Sequence, residues 1–437
     1  MEEKIKDNPS YRKIEKDIHG VEVIRGIVYL LKPFSKIARS IYKSLENFDK
    51  LKTEFKQITE SPDIFNELFS DKGWIAHESF NHDLMTECIS LARDGKQDFA
   101  EERLADYYTS DKIEWLLMKF KATSAFNKRY ELIRLAYEDT ISKRYHSAIP
   151  ILLMVIDGGV NDIDTGKGFF AESTDLTAWD SIAGHSTGLT KLRDIFNANR
   201  RKTNTNEIYF PYRNGILHGR DISYVNKFVL AKCWLTLIAV NDWAEVLRKN
   251  KEREKQEQTK PKESLKEFFL RVKQCNERNN EQNQLIDSWQ KRDITLDKDI
   301  PSKGDLNDYV EGTPERAAVQ FFKYWQNNNY GKIARQIYYF TKDIKYSKEA
   351  GRVSKIFKNK ILREYKLISI EDCAPAVSEI MVKIKFQYQE EDIDTIIKLR
   401  MIYQNDEGES MVFGQKGGNW KFIDSCFFHQ IEYPEWC

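Results

Sequence analysis

Residues 248–264 read RKNKEREKQEQTKPKES, a run without one hydrophobic side chain. A segment that cannot bury apolar surface joins no core, so this run is a solvated helix end or a linker. It separates two parts whose apolar residues follow different periods. Before it they recur every three or four positions; beyond residue 363 they alternate. The first pattern predicts helices and the second predicts strands. The fold class that follows is mainly α, with a small C-terminal α+β domain.

Working upstream, Tyr224 to Leu247 reads as a strong amphipathic helix, with Phe228, Ala231, Leu235, Ile238 and Trp243 on its apolar face. A short helix near Leu189 to Asn199 leads into Arg200-Arg201-Lys202. Residues 157–187, rich in Gly, Asp, Ser and Thr, read as a long loop. Asn127 to Asp157 is helical, with Pro150 expected to kink or split it. Further helices fill 20–59 and 62–125, with Gly95 where a C-cap belongs and Ser110-Asp111 where an N-cap belongs.

Downstream, residues 264–292 form an amphipathic helix pattern, followed by the polar connector SKGDLNDYVEG. Thr313-Pro314-Glu315 is a helix start, an N-cap followed by Pro at the first helical position. Helices to about Trp325 and from Gly331 to Phe340 precede the alternating segments YKLISIE, EIMVKIKFQYQ, TIIKLRMIYQ, MVFGQ and NWKFID. The joins NDEGES and KGGN are hairpin chemistry, so the sheet is expected to be antiparallel. The divisions are 1–125, a helical N-terminal region; 126–250, a second helical domain; 251–311, a charged linker with an amphipathic helix; and 312–437, the α+β domain.

At 437 residues, 41% hydrophobic and 13% aromatic, the chain supports two or three packed domains. Charged residues make up 31%, yet the net charge is +1, so no global field draws it to nucleic acid or membrane. Cys88, Cys233, Cys275, Cys373, Cys426 and Cys437 are scattered singly, which favours reduced thiols in a cytoplasmic protein over disulfides or a zinc site. The N-terminus lacks a signal-peptide core, and the longest apolar run, 148–156, is far short of the ~20 residues that span a bilayer. A soluble, cytoplasmic protein without a membrane partner is expected.

The chemistry concentrates in residues 207–221, EIYFPYRNGILHGRD. With Pro211 starting a helix, Asn214 and His218 lie four apart on one face. Arg213 stands about 140° from His218 around the axis, within reach of the same edge for a long guanidinium. Histidine takes and returns a proton near neutral pH, arginine holds a phosphate and stabilises its growing charge, and asparagine orients an oxygen or a water. No carboxylate cluster suited to Mg²⁺ lies beside them. The route implied needs no metal or other cofactor: the RNA 2′-hydroxyl attacks its own phosphate, which DNA cannot do. Tyr209, Phe210 and Tyr212 either stack bases or pack in the interior, and packing is the commoner fate. The triplet Arg200, Arg201 and Lys202, with Arg220, is placed to meet an RNA backbone; the competing reading of the triplet is a solvated helix C-terminus. His77 and His82 are five apart, on different helix faces, and so make a poor metal pair with Asp83. His185 has no evident partner, and GKGFF lacks the ending of a phosphate-binding loop.

Arg213-Asn214-Gly-Ile-Leu-His218 resembles the R-N-x-x-x-H motif of the HEPN superfamily (higher eukaryotes and prokaryotes nucleotide-binding). The resemblance covers about residues 125–250. It implies an all-helical domain and, for many members, a metal-independent RNase of toxin–antitoxin, CRISPR or abortive-infection systems. It also implies a cleft composed from two motifs across a dimer, with Arg213 and His218 as the catalytic pair and Asn214 beside them. An acidic residue on an earlier helix is implied too, with Glu138 or Asp139 as candidates. Expected partners are RNA, a second copy of the chain, and an antitoxin or trigger protein. The alternative is a non-catalytic HEPN-like nucleotide- or RNA-binding or dimerisation scaffold. Residues 312–430, ending in Gly418-Asn419-Trp420-Lys421-Phe422, resemble the nuclear transport factor two-like family in element order. That implies a curved antiparallel sheet wrapped around helices, in a ligand-binding or dimerising module.

Overall fold

The computed structural model describes residues 4–31, 48–163, 166–198, 201–257, 281–339, 344–424 and 427–432. The chain forms two compact units, Met1–Lys262 and Glu263–Cys437. As expected, it is mainly α, and among the described residues a small antiparallel sheet lies in the second unit. Among the described residues no helix is long and apolar enough to cross a membrane.

The first unit contains α1 (Pro9–Leu31), α2 (Phe48–Phe69), α3 (His82–Arg93), α4 (Gln97–Tyr108), α5 (Tyr130–Ile141), α6 (Tyr145–Ile163), α7 (Leu189–Phe196), α8 (Arg213–Leu217) and α9 (Lys227–Glu257), with shorter turns between them. The middle of α9 is buried on every side. Each residue from 229 to 244 is buried, which makes it the central helix rather than a half-exposed amphipathic one. It packs on α4 and α6, and residues from Phe65 to Ala244 share one hydrophobic core.

Burying polar groups is costly unless they are hydrogen-bonded. Among the described residues Asn241 Oδ1 and Trp243 Nε1 of this stretch have no partner, whereas the Asp242 carboxylate is fully engaged. Asp242 accepts from Ser79 N at 2.7 Å, Ser79 Oγ at 2.5 Å and His77 Nδ1 at 2.8 Å. His77 Nε2 meets Tyr108 Oη at 2.9 Å, so both ring nitrogens are engaged in the core. Burial pushes the Asp242 carboxyl up, but hydrogen bonds from His77 and Ser79 outweigh it and hold the group below its usual range.

Two expectations about α6 needed structural context. The break falls at 142–144, where Lys143 adopts φ 59°, and not at Pro150, which lies inside the helix. Proline removes the hydrogen bond to the carbonyl four residues back. Here that carbonyl, of His146, accepts instead from Tyr224 Oη at 3.1 Å. Gly158 and Gly159, read as the start of a loop, are helical. A Cβ on Gly159 would lie 2.2 Å from the Phe126 ring, so this glycine permits close packing and does not signal a turn.

In the second unit residues 281–288 are helical, followed by α10 (Pro314–Gln326), α11 (Tyr330–Gln336), α12 (Tyr346–Phe357), β1 (Ile361–Ala374), β2 (Val377–Tyr388), β3 (Glu391–Gln404), β4 (Asn419–Phe422) and α13 (Phe428–Glu432). The strands lie in sequence order, all antiparallel. Thr313 Oγ1 caps α10 by accepting from Arg316 N, with Pro314 at the first turn. Residues 411–415, MVFGQ, are not a strand but a turn-rich return to β4. Ile380, Val382, Ile384 and Phe386 of β2 and Ile397, Leu399 and Met401 of β3 face a core filled by Phe321, Phe322, Trp325 and Phe357. Of the helix expected over 264–292, the part before 281 lies outside the described residues, 281–288 is helical and 289–292 is not.

Candidate active site around Arg213 and His218

Residues 204–208 and 220–226 lie side by side. Asn204 N donates to Arg220 O at 2.7 Å, Ile222 N to Asn204 O at 3.2 Å and Ile208 N to Ser223 O at 3.3 Å. Asn226 Nδ2 holds the Ile208 carbonyl at 2.8 Å. The chain between them must turn back, and α8 is that turn. Pro211 is buried and precedes the helix, which begins at Arg213 after an extended Tyr212.

Gly219 ends it at φ +66°, a left-handed conformation that glycine adopts without strain. Gly219 N donates to Ile216 O at 3.1 Å and Arg220 N to Gly215 O at 2.7 Å. These two bonds are the Schellman arrangement. They leave His218 as the C-cap, exposed, its backbone N donating to Asn214 O at 3.3 Å. Asn214 and His218 thus stay one turn apart. The His218 ring makes no hydrogen bond with the described residues.

Arg213 turns the other way. Its Nη1 donates to Asn214 Oδ1 at 2.9 Å, Nη2 lies 3.6 Å from Asp157 Oδ2, and the guanidinium carbon stands 5.7 Å from the Phe170 ring centre. Its Nε is buried without a hydrogen bond. Asn214 Nδ2 in turn donates to Asn197 Oδ1, just past α7, at 3.3 Å. The structure therefore brings Arg213 and Asn214 together, while no side-chain bond links either to His218. Arg213 and Asp157 are each 31% exposed in their side chains, and such an ion pair contributes at most about 1 kcal/mol.

Asp157, on α6, was not among the acids expected. Its Oδ1 accepts from Phe170 N at 3.3 Å, and Gly168 presses against it. Glu138 and Asp139 are engaged elsewhere. Glu138 binds Arg134 within α5, and burial raises its carboxyl above the usual range. Asp139 accepts from Arg144 Nε at 2.7 Å.

Arg201, Lys202 and Arg220 are exposed, and the Asn204–Arg220 bond brings their segments alongside each other, two residues from His218. Arg200 lies outside the described residues. Of the three aromatics, Tyr209 is half exposed, its ring 5.8 Å from Phe228; Phe210 and Tyr212 pack against the core. Among the described residues no group of three or more His, Cys, Asp or Glu side chains is arranged to hold a metal ion. A cleft of about 850 Å³ runs between α2 and α3, lined by Gln57, Ile64, His82, Thr86 and Arg93, and no motif residue borders it.

No protein-family model matches the sequence, no curated protein matches it, and no solved structure matches it.

Proposed function

We propose that the chain is a metal-independent endoribonuclease of the toxin or anti-phage type, cytoplasmic and acting as a homodimer that composes its site from two copies of the motif. The observation that supports this most is His218, held at an exposed helix C-cap one turn beyond Asn214, next to the basic residues Arg201, Lys202 and Arg220. The likeness of Arg213-Asn214-x-x-x-His218 to the HEPN motif supports the same reading. His218 takes the proton of the RNA 2′-hydroxyl, whose oxygen attacks the adjacent phosphorus, and the 5′ oxygen leaves with a proton given up by the imidazolium of the second motif's histidine. Arg213 neutralises the charge that grows on the phosphoryl oxygens, and Asn214 orients it. The products are a 2′,3′-cyclic phosphate and a 5′-hydroxyl.

One observation favours a second reading, a non-catalytic RNA-binding or dimerising scaffold. Arg213 already faces Asp157 and Phe170 and makes no hydrogen bond with His218. Incubation of the full chain with labelled RNA and EDTA, wild type beside His218→Ala, separates the two. Cleavage to 2′,3′-cyclic ends that falls at least about a hundredfold in the variant supports the enzyme. RNA bound without cleavage by a folded dimer supports the scaffold. Cleavage that survives the substitution moves the chemistry to other residues.

A further inference from the structure

Lys232 lies in the central stretch of α9 and is 1% exposed. Its Nζ donates to the Tyr209 carbonyl at 2.8 Å. The same ammonium stands 4.5 Å from the Phe210 ring centre and 5.1 Å from that of Trp74. Two charged groups face it. Glu101 of α4 reaches to 3.9 Å, and Lys72, from the turn after α2, holds Glu101 at 2.6 Å and adds its own positive charge. Trp74 Nε1 donates to the same Glu101 at 3.0 Å. Gly73, at φ +82°, closes the box: a Cβ there would meet the Phe210 ring at 3.2 Å and Lys232 Cδ at 3.3 Å.

A lysine is a costly filler for a core, since the charge loses its water. Methionine would occupy the same volume at no such cost. What methionine cannot do is bond a main-chain carbonyl and sit as a cation against two aromatic faces. The carbonyl and the Phe210 ring belong to one segment, and Trp74, from the turn after α2, is the wall against which the ammonium is held. Tyr209 and Phe210 belong to the turn whose next residues are Pro211, Tyr212 and Arg213, and Tyr212 N closes that turn on Phe210 O at 2.9 Å.

We propose that Lys232 is a positioning residue, whose boxed ammonium fixes the Tyr209–Tyr212 turn and thereby sets where Arg213 and Asn214 stand at the start of α8. The catalytic consequence rests on the ribonuclease reading; the anchoring of the turn does not. The anchor is also sensitive to pH. Burial lowers the Lys232 ammonium to about 8, with Glu101 partly opposing the fall and Lys72 adding to it. Near neutral pH the ammonium is charged and the anchor is set. As pH rises through that value the charge is lost, and the carbonyl and the rings lose their cation.

The test compares the full-length wild type with Lys232→Met. Amide hydrogen exchange at Ile208 and Tyr212, corrected for its intrinsic pH dependence, reads the turn directly. The expected result is exchange about tenfold faster in the variant at pH 7. The wild type then approaches the variant between pH 7 and 9, while the variant stays flat. RNA cleavage by the variant falls mainly in kcat, with KM little changed, and loses the alkaline limb of the wild-type profile. Stability of the variant at pH 7 is equal to or above that of the wild type, because a buried charge has been removed. Equal exchange in the two proteins overturns the proposal, whatever happens to cleavage. If Lys232→Met does not fold, the wild-type pH series decides by itself: a flat corrected exchange through pH 9 overturns it. If no RNA is cleaved by wild type, the ribonuclease reading fails while the exchange result still decides the anchor.

Discussion

A methyl group at position 168 would stand 2.1 Å from Asp157 Oδ1 and 2.7 Å from its Cγ, closer than atoms can approach. Glycine therefore lets the 166–175 loop ride over Asp157 while Phe170 donates its backbone N–H to the same carboxylate. Gly168→Ala is expected to lower stability by about 1 kcal/mol, because the partly exposed Asp157 carboxylate must turn aside from the new methyl and give up its contacts with Phe170 N and Arg213. Asp157→Ala loses a partly exposed ion pair and costs about 1 kcal/mol or less. The double variant should then be more stable than the sum predicts, since the clash is gone. Urea midpoints at constant m measure the cycle, and strict additivity would refute the close approach as the reason for the glycine. At this scale the sequence was legible where neighbours in the chain are neighbours in space. Arg213 and Asn214 are adjacent and bond to each other. Asp157 meets Arg213 from a distant helix, and no local spacing marks such a pair. Glu138 and Asp139 were credible on position alone, but Arg134 and Arg144 lie four and five residues away and bond to them.

For helix α6, a proline in the sixth position normally costs about 3 kcal/mol against alanine, through a lost hydrogen bond and a ring clash. Part of that loss is recovered because Tyr224 Oη supplies a donor to the His146 carbonyl. Pro150→Ala is accordingly expected to stabilise the protein by about 1–2 kcal/mol, less than the full penalty. Tyr224→Phe should cost about 1 kcal/mol in the wild type and much less in the Pro150→Ala background, where the restored N–H serves the carbonyl. Thermal or urea unfolding of the four proteins reads the coupling, and an equal cost of Tyr224→Phe in both backgrounds would mean the hydroxyl plays no such part. Helices of the first unit and strands of the second were readable from period. Their ends were less so, because tertiary contacts set them. Gly158-Gly159 continues α6 since Phe126 needs the space, and the β2–β3 turn is made by Gln389 and Glu390 at φ +49° and +69° without glycine or asparagine. A hairpin of this length demands positive φ at both positions, and the strand pairing imposes it against their preference.

Across the whole chain, the hydrophobic gap at 248–264 marks the passage from one compact unit to the other, which part at Lys262/Glu263. Composition could show that break but not where the second unit's fold begins. Arg292, inside the stretch read as a linker, is bound into that unit by residues far along the sequence. Its Nε donates to Asp372 Oδ2 at 2.7 Å, its Nη2 to Asp372 Oδ1 at 3.0 Å and its Nη1 to Glu315 Oε1 at 3.1 Å. Burial raises the Asp372 carboxyl, yet hydrogen bonds from Arg292 and Ser378 outweigh it and leave the group below its usual range. A carboxyl depressed in this way adds stability that is fully present above about pH 4, its unfolded value. The contribution is lost only as pH falls through the lower folded value. Arg292→Met removes the cation and leaves Asp372 and Glu315 buried, so Asp372 keeps the Ser378 hydrogen bond but loses its ion pair, and its carboxyl rises from the depressed value. The variant should be less stable than wild type by about 3 kcal/mol at pH 7, the scale for breaking a buried pair on one side. The deficit should shrink toward pH 4, where protonation relieves the unpaired carboxyl. Calorimetry of the full chain at both pH values, following the transition that the substitution shifts, measures this. A deficit that is the same at pH 7 and pH 4 would assign the effect instead to the packing of the guanidinium on Phe413, 4.9 Å from the ring centre.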